Sequence, residues 1–553
     1  MIKNALIVGF MLALTGCGSS GGDDNNTGDA SAKGSVGGFV RDYHTGEPLE
    51  GVSISLSSDI NSDMMPVATT KSASDGSYQL QGIGISERFL LSADMAQYGE
   101  AWNVFGNADN RADVSLSPLV LKAHLNTTFD SSVANTLSTE GYDVVTLPAN
   151  SLVDEAGNLY NGQVSTRVTL IDPSSDAAIM PGDFVAIDQA SGETSQIQSF
   201  GAIDVEFSDT SGNPLQLQQG QTADISIPLA GSINPFSAPQ TMPLYYFDVS
   251  EGYWVEDGEA TLVSTAAGYV YQGLVSHFTT WNADMVYETV NITGCVQDEA
   301  GNRISGASVI ASGRDYLGQS LVYSDASGNF TLPVRRESSI LVSSISNAQS
   351  DTAILDSETT DLAMTSCLVL SQSAATITLT WGENPNDLDT HFFGPKEDDT
   401  GEFEVYFANK TVELAGTVFD LDVDDTSSYG PEVLTVPDLP LEGTYRYVVY
   451  NYSGDSTIQA SPARVELNLA GEISVFSPDN ASGDTSDDYW HVFDLEVDMN
   501  GDTTVQPVQQ FSSSESSPSM GALSSEASFI TQQSSRKLLR SAQGKEHKYY
   551  SID

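Results

Sequence analysis

Two acidic blocks in the last third of the chain hold the residue types best suited to chemistry. In the first, Asp387, Asp389 and His391 alternate. Alternate side chains of an extended segment share a face, so these three are expected to project together. In the second, Asp420, Asp422 and Asp424 alternate with Leu421 and Val423, and Glu432 follows. If the two strand ends are neighbours, four or more carboxylates converge, and they repel unless a cation neutralises them. An oxygen-only set outside a cell fits Ca²⁺, which takes roughly 6–8 oxygens. The expected ligands are Asp387, Asp389, Asp420, Asp422, Asp424 and Glu432, with His391 outside the shell. The alternative is two solvated acidic faces on a strongly acidic chain.

Weaker strings stand beside these. Asp498-Met499-Asn500-Gly501-Asp502 begins like a calcium loop but lacks the distal bidentate Glu, so a plain turn is expected. His44 and Glu47 have the H-x-x-E ligand spacing of zinc enzymes. Gly46 and Pro48 would hold no helix there, and no third ligand is placed to help. Ser534 and Lys537 match S-x-x-K within a polar segment that cannot preorganise a nucleophile. The six histidines are scattered. Trp254, His277, Phe278 and Trp281 would line a binding face or fill a sandwich core, and the core is expected.

Charge bounds the partners. The chain has 75 acidic and 21 basic residues, a net charge of −54. Such a surface repels nucleic acid and anionic lipid heads and attracts divalent cations. Acidity serving solubility alone explains the same numbers.

The elements that must carry these residues begin with an export segment. Lys3 precedes an apolar run from Ala5 to Leu14, too short to span a bilayer, so a signal peptide is expected. Leu14-Thr15-Gly16-Cys17 resembles the lipobox of bacterial lipoproteins. That resemblance implies cleavage before Cys17 and acylation of Cys17 with palmitate-type chains, which hold a protein on a membrane. Gly18 in place of Asp implies the outer membrane. Cleavage would leave 537 of the 553 residues, enough for several cores. Residues 17–33 are Gly, Ser, Asp and Asn with little to bury, and read as a flexible tether. The other two cysteines, Cys295 and Cys367, are expected to form a disulfide in an oxidising compartment, with two buried free thiols as the alternative.

From residue 34 onward the pattern is short alternating runs broken by Gly, Pro, Asp and Asn turns, the signature of an all-β chain. In residues 34–122, G-x-V-x-D-x-x-T-G-x-P-L-x-G-V followed by T-x-x-D-G-x-Y resembles the carboxypeptidase regulatory-like domain, a transthyretin-like β-sandwich. The same grammar returns at 291–372, where Asp298 to Gly306 and Asp325 to Phe330 repeat the two turns. Two copies so far apart suggest beads on a string. Residues 123–290 read as another all-β unit that loosely resembles β-rich extracellular regions of cartilage intermediate layer proteins. Residues 374–500 resemble the bacterial YfaP-like domain of unknown function through Trp381, Asp387-Leu388-Asp389, His391 and Tyr429-Gly430-Pro431-Glu432, with Ser428 where Gly is expected. Residues 501–553 are Ser- and Gln-rich, with basic residues from Arg536 onward, and read as a disordered tail.

The expectation is therefore tandem β-sandwiches on a lipidated tether, non-enzymatic, binding glycan or protein ligands in adhesion or scaffolding. An accessory factor of an envelope assembly is the first alternative. A glycan hydrolase using carboxylates of 123–290 is the second. No nucleic-acid partner is expected.

Overall fold

The computed structural model describes residues 34–514 except 44–47, 59–65, 84–87, 107–112, 117–118, 175–176, 232, 347–348, 373, 383, 398–400, 424–429 and 470–471. Nearly all regular structure among them is β-strand, interrupted by three short 3₁₀ turns. No helix among the described residues is long and apolar enough to cross a membrane.

The first unit pairs two small sheets over a core of Val36, Val40, Ile54, Leu56, Leu80 and Leu91. Strand Gly34–Asp42 lies antiparallel to Ser77–Ile83 and parallel to Asp113–Ser115 and Leu119–Leu121. Strand Ser53–Ser58 lies between Ala68–Lys71 and Phe89–Asp94, and Ala101–Phe105 follows at the edge. Val52, Ile54 and Leu56 are fully buried while Ser53 is exposed, the alternation that a half-buried sheet requires.

The third unit has the same wiring. Thr289–Asp298 lies antiparallel to Asn329–Arg335 and parallel to Leu362–Ala363 and Leu368–Gln372. Ser308–Gly313 lies between Gln319–Tyr323 and Ser339–Ser346, with Gln349–Asp356 beyond. Shared detail goes deeper than topology. In the first unit the Ser72 hydroxyl donates to Leu49 O (2.6 Å) and accepts from Val52 N (2.9 Å). In the third, Ser324 donates to Ile304 O (2.7 Å) and accepts from Ala307 N (3.0 Å). Both serines are buried, so each satisfies backbone groups that water cannot reach. Gly76 and Gly328 also correspond. Their φ angles are 74° and 73°, and an added Cβ would meet Val40 O or Val296 O at 2.5 and 2.9 Å. Only glycine suits that turn.

Cys295 and Cys367 are bonded, with Cα atoms 4.5 Å apart. The bridge joins strand Thr289–Asp298 to the segment entering its parallel neighbour Leu368–Gln372. It closes a separation of 72 residues, and the chain-entropy estimate for such a loop is about 4 kcal/mol.

Between these units, one extended sheet carries long strands including Gln163–Ile171, Thr194–Ser208, Thr241–Asp248 and Tyr253–Ser264. Its core contains Val168, Ile203, Ile225, Tyr271, Phe278 and Trp281. The last unit packs two sheets face to face. One holds Ala375–Thr380, Thr417–Val423, Glu432–Val436 and Arg464–Leu469; the other holds Glu402–Val405, Leu388–Pro395, Gly443–Asn451, Tyr489–Val497 and Thr503–Ser512. Trp381, Phe392, Phe419, Tyr445, Trp490 and Phe493 fill the space between.

Two expectations are corrected. The units are not independent beads. Val104 and Val120 of the first unit share one buried cluster with Ile171, Met180, Phe184, Phe247 and Trp254 of the second. Arg88 grips Asp183 with two hydrogen bonds (2.8 and 3.0 Å) and lies 3.7 Å over the Tyr253 ring. The second and third units join through Ser199 N donating to Leu317 O (2.9 Å) and Arg335 Nη1 donating to Gln198 Oε1 (3.1 Å). Apolar outer faces leave no gain from separation, since contact removes them from water. The second correction concerns the tail boundary placed at 501. Thr503–Ser512 is a strand paired with Tyr489–Val497, and Phe511 is buried in the last core.

Candidate functional site

The first acidic block runs from Asp387 into strand Leu388–Pro395 of the last unit, which carries Asp389 and His391. Leu388 and Phe392 enter the core, so Asp389 and His391 take the other face, as alternation demands. Neither is open to solvent: Asp387, Asp389 and His391 are 8%, 3% and 5% exposed. Glu432 belongs to the opposite sheet and is fully buried. Its Oε2 accepts a hydrogen bond from Thr390 N, tying the two sheets together beside Asp389. The Thr390 hydroxyl lies 2.8 Å from Tyr447 OH, and burial pushes that phenol well above its usual range.

The second block departs from plain alternation. Leu421 pairs with Leu434 and Val423 with Val433, which leaves Asp422 as the extra residue of a β-bulge. Asp420 and Asp422 are on the backbone of Thr417–Val423, their side chains are not described, and Asp424 lies outside the described residues. The two blocks thus sit on opposite sheets of one sandwich, bridged by Glu432. Among the described residues, no group of three or more His, Cys, Asp or Glu is arranged to hold a metal.

The remaining sequence candidates divide cleanly. Trp254, Phe278 and Trp281 are buried core residues, and the half-buried His277 packs on Trp281 at 4.9 Å. Asp498 is consumed by its own turn, accepting from Asn500 N (2.8 Å) and Asp502 N (2.9 Å). Cys17, His44, Glu47, Ser534 and Lys537 lie outside the described residues.

Carboxylates of the second unit bear on the hydrolase alternative. Asp284 is fully buried, and neither carboxylate oxygen has a hydrogen-bond partner among the described residues. Burial raises its carboxyl well above the ordinary range. A group so enclosed meets no polymer substrate. Asp204 and Glu206 instead face the first unit around Arg167. Arg167 reaches Glu206 (3.2 Å), Asp94 (3.4 Å) and the Tyr98 carbonyl. Burial, then the charges of Asp204 and Glu100, push Glu206 up to about 8. Burial, then Asp94 and Asp204, push Glu100 up to about 7. This is a charge-crowded junction between units.

What sequence reasoning missed is an aromatic array beside the first acidic block. His391 packs on Tyr406 (5.3 Å), Tyr450 (5.8 Å) and Phe393 (6.2 Å). Tyr406 meets Phe407 at 5.1 Å, Phe407 meets Tyr452 at 5.6 Å, and Tyr452 meets Tyr450 at 6.4 Å. Tyr450 stacks on Tyr489 at 4.6 Å. Phe407 and Tyr452 are 38% and 57% exposed. Four segments build this array: strand Leu388–Pro395, the turn where Tyr406 bridges Asn409, the end of strand Gly443–Asn451, and the start of Tyr489–Val497. The signal in the sequence was the alternating Tyr450-Asn451-Tyr452, which puts both rings on one face.

Polar groups surround the rings. His391 Nδ1 is 2.7 Å from Glu404 Oε1. Asp455 Oδ1 accepts from Ser453 Oγ (2.9 Å) and Asn386 N (3.1 Å), and these bonds hold its carboxyl below the usual range. Arg446 is committed elsewhere, bonded twice to Glu402 (3.0 and 3.3 Å) and lying over Phe393. Burial, more than the neighbouring Arg446 charge, lowers the His491 pKa, and His491 Nε2 lies 3.1 Å from Ser514 O.

No family model matches the chain. Among solved structures, the chain is similar to the major pilin subunit of Bacillus cereus at 10% identity, covering 60% of this chain and 99% of that one, with a TM-score of 0.15. It is similar to the full-length major pilin SpaD of Corynebacterium diphtheriae at 10% identity, covering 62% and 99%, with a TM-score of 0.15. A protein of unknown function matches at 17% identity over 26% of this chain and 92% of its own, with a TM-score of 0.21. Likeness at this level carries no argument about activity or partner.

Proposed function

We propose that this is a non-enzymatic, lipid-anchored protein of the outer membrane whose linked β-sandwiches present a ligand-binding face at the cell surface. The observation that carries the reading is the exposed pair Phe407 and Tyr452 at the end of the last unit, set among carboxylates. Exposed aromatic rings with nearby polar groups favour recognition, since stacking area and hydrogen bonding come together. Anchoring rests on the lipobox-like Leu14-Thr15-Gly16-Cys17, and the shared wiring of the first and third units supports their resemblance to regulatory-like domains. Packing among the first three units favours a semi-rigid support over a freely swinging chain.

Ca²⁺ is proposed as a structural ligand of the last unit. Asp387, Asp389 and Glu432 are buried acidic residues of this unit, Glu432 reaches the Thr390 backbone beside Asp389, and the oxygen-only set read from the sequence fits a hard cation. Asp420, Asp422 and Asp424 are the proposed remaining ligands. Adding a chelator to the purified chain should lower its unfolding temperature, and Ca²⁺ should restore it; an unchanged transition removes the metal from the account.

Fractionation tests the anchor. The wild-type chain should partition with membranes and detergent, and Cys17→Ser should be released as soluble protein. Equal partition of both would overturn the lipid reading.

A further inference from the structure

The rings at the end of the last unit are set as a corner, and this decides what they can hold. Phe407 and Tyr452 meet at 71°, Tyr450 and Tyr452 at 86°, and Tyr406 and Phe407 at 83°. A sugar ring stacks on a flat aromatic platform. Rings turned nearly perpendicular to one another instead offer several electron-rich faces to one compact guest, the arrangement that holds ammonium groups. The parallel contacts lie away from the exposed rings: Tyr450 on Tyr489 at 27°, both only partly exposed, and Tyr406 on the buried His391 at 22°.

Electrostatics select the same guest. Asp455 holds the loop carrying Tyr452, and its low pKa keeps it charged at neutral pH. Asp488 is exposed immediately before Tyr489, and its backbone carbonyl accepts from Asn451 N (2.8 Å), so it sits beside the Tyr450 strand. Glu404 lies on the adjoining strand Glu402–Val405. The Arg446 guanidinium is already held by Glu402 and Phe393. The net charge of −54 draws cations toward this face from a distance.

A third observation is independent of both. His391 is 5% exposed, packs on Tyr406 and Tyr450, and its Nε2 has no hydrogen-bond partner among the described residues. The Glu404 carboxylate can only accept, so Nδ1 carries the proton shared with it. Nε2 is left as an unpartnered buried nitrogen beside Tyr406 and Tyr450.

We propose that Tyr406, Phe407, Tyr450 and Tyr452 form a site for an organic ammonium group, supplied by a lysine side chain of a basic polypeptide partner. This rests on the reading of the protein as a binder, and it narrows the ligand from glycan or protein to a cationic protein segment. The positive charge sits against the ring faces, the rim carboxylates pair with it, and neighbouring lysines meet the acidic surface.

Calorimetric titration of the full mature chain, made soluble as Cys17→Ser, tests the proposal. The probes are an acetylated, amidated tetralysine peptide, the same peptide with every side-chain amine acetylated, choline chloride and cellohexaose, all at one ionic strength. The tetralysine peptide should bind saturably, and acetylation of its amines should weaken it tenfold or more. Tyr452→Ala and Phe407→Ala, both at exposed positions, should each weaken it about tenfold while leaving net charge and the circular dichroism spectrum unchanged. Affinity unchanged in both variants would mean attraction to bulk charge alone and would overturn the site. Tighter binding of choline would overturn the lysine source, and preferred binding of cellohexaose would overturn the ammonium chemistry. Surface exposure of the protein is decided separately by protease accessibility, so failure here leaves that reading standing.

Discussion

Replacing Asp284 with Asn should flatten the pH dependence of the second unit's stability. Asp284 lies on Thr280–Val286, fully buried, with no hydrogen-bond partner for either oxygen among the described residues. Burial raises its carboxyl well above the ordinary range. The sign follows from linkage. A carboxyl whose folded pKa exceeds its unfolded value contributes stability that is fully present below the unfolded pKa, near about 4, and is lost as pH rises through the folded pKa. Across that window the loss is about 1.4 kcal/mol per pH unit, a tenfold fall in the folded-to-unfolded ratio. Asn keeps the shape and cannot ionise. The stability difference between Asp284→Asn and wild type should therefore grow in favour of the variant at about 1.4 kcal/mol per pH unit above pH 4, and level off past the folded pKa. Urea unfolding followed by tryptophan fluorescence reads this directly, because Trp254 and Trp281 are fully buried in the same unit. Comparing two chains cancels the background titration of the other 74 acidic residues, the 75 of the sequence less Asp284. Parallel pH profiles would refute the reasoning and mean that Asp284 is ionised or hydrated in solution.

Other consequences follow from the fold. Ser72→Ala and Ser324→Ala should each cost about 1–3 kcal/mol in urea unfolding, because a buried backbone N–H loses its acceptor; the exposed Ser327→Ala should change little. Reducing Cys295–Cys367 should remove about 4 kcal/mol from the third unit, read as a fall in its melting temperature. Raising the pH through 7 to 8 should loosen the contact of the first and second units. Glu100 and Glu206, raised to about 7 and about 8, then gain charge beside Asp94 and Asp204, with Arg167 the offsetting charge among the described residues. Hydrogen exchange at Tyr98–Glu100 should rise with pH in wild type and less in Glu206→Gln.

The elements were legible where one residue pattern decides them. Period-two alternation in Val52, Ile54 and Leu56 placed a half-buried strand, and two matching turn motifs placed a repeat whose strands prove to be wired alike. The disulfide followed from having two spare cysteines. Packing between units was not legible. Val104, Val120 and Phe247 read as the ordinary apolar residues of separate sandwiches, and only the third dimension puts them in one cluster. Strand Thr503–Ser512 was hidden by its Gln-rich composition and by Pro507, both tolerated because it is an edge strand. In the candidate site, the alternation of Asp389 and His391 was readable, whereas the bulge at Asp422 is a feature of pairing. The aromatic corner escaped because its rings come from residues 406–407, 450–452 and 489, each pair unremarkable alone.

The central claim is a lipid-anchored protein that presents its last unit outside the cell. Protease shaving of intact cells, followed with an antibody against residues 374–512, tests it most directly. The account predicts loss of the signal from unbroken cells, with a periplasmic marker left intact. Protection until the outer membrane is opened would contradict surface display and turn the search for a basic partner toward the periplasm.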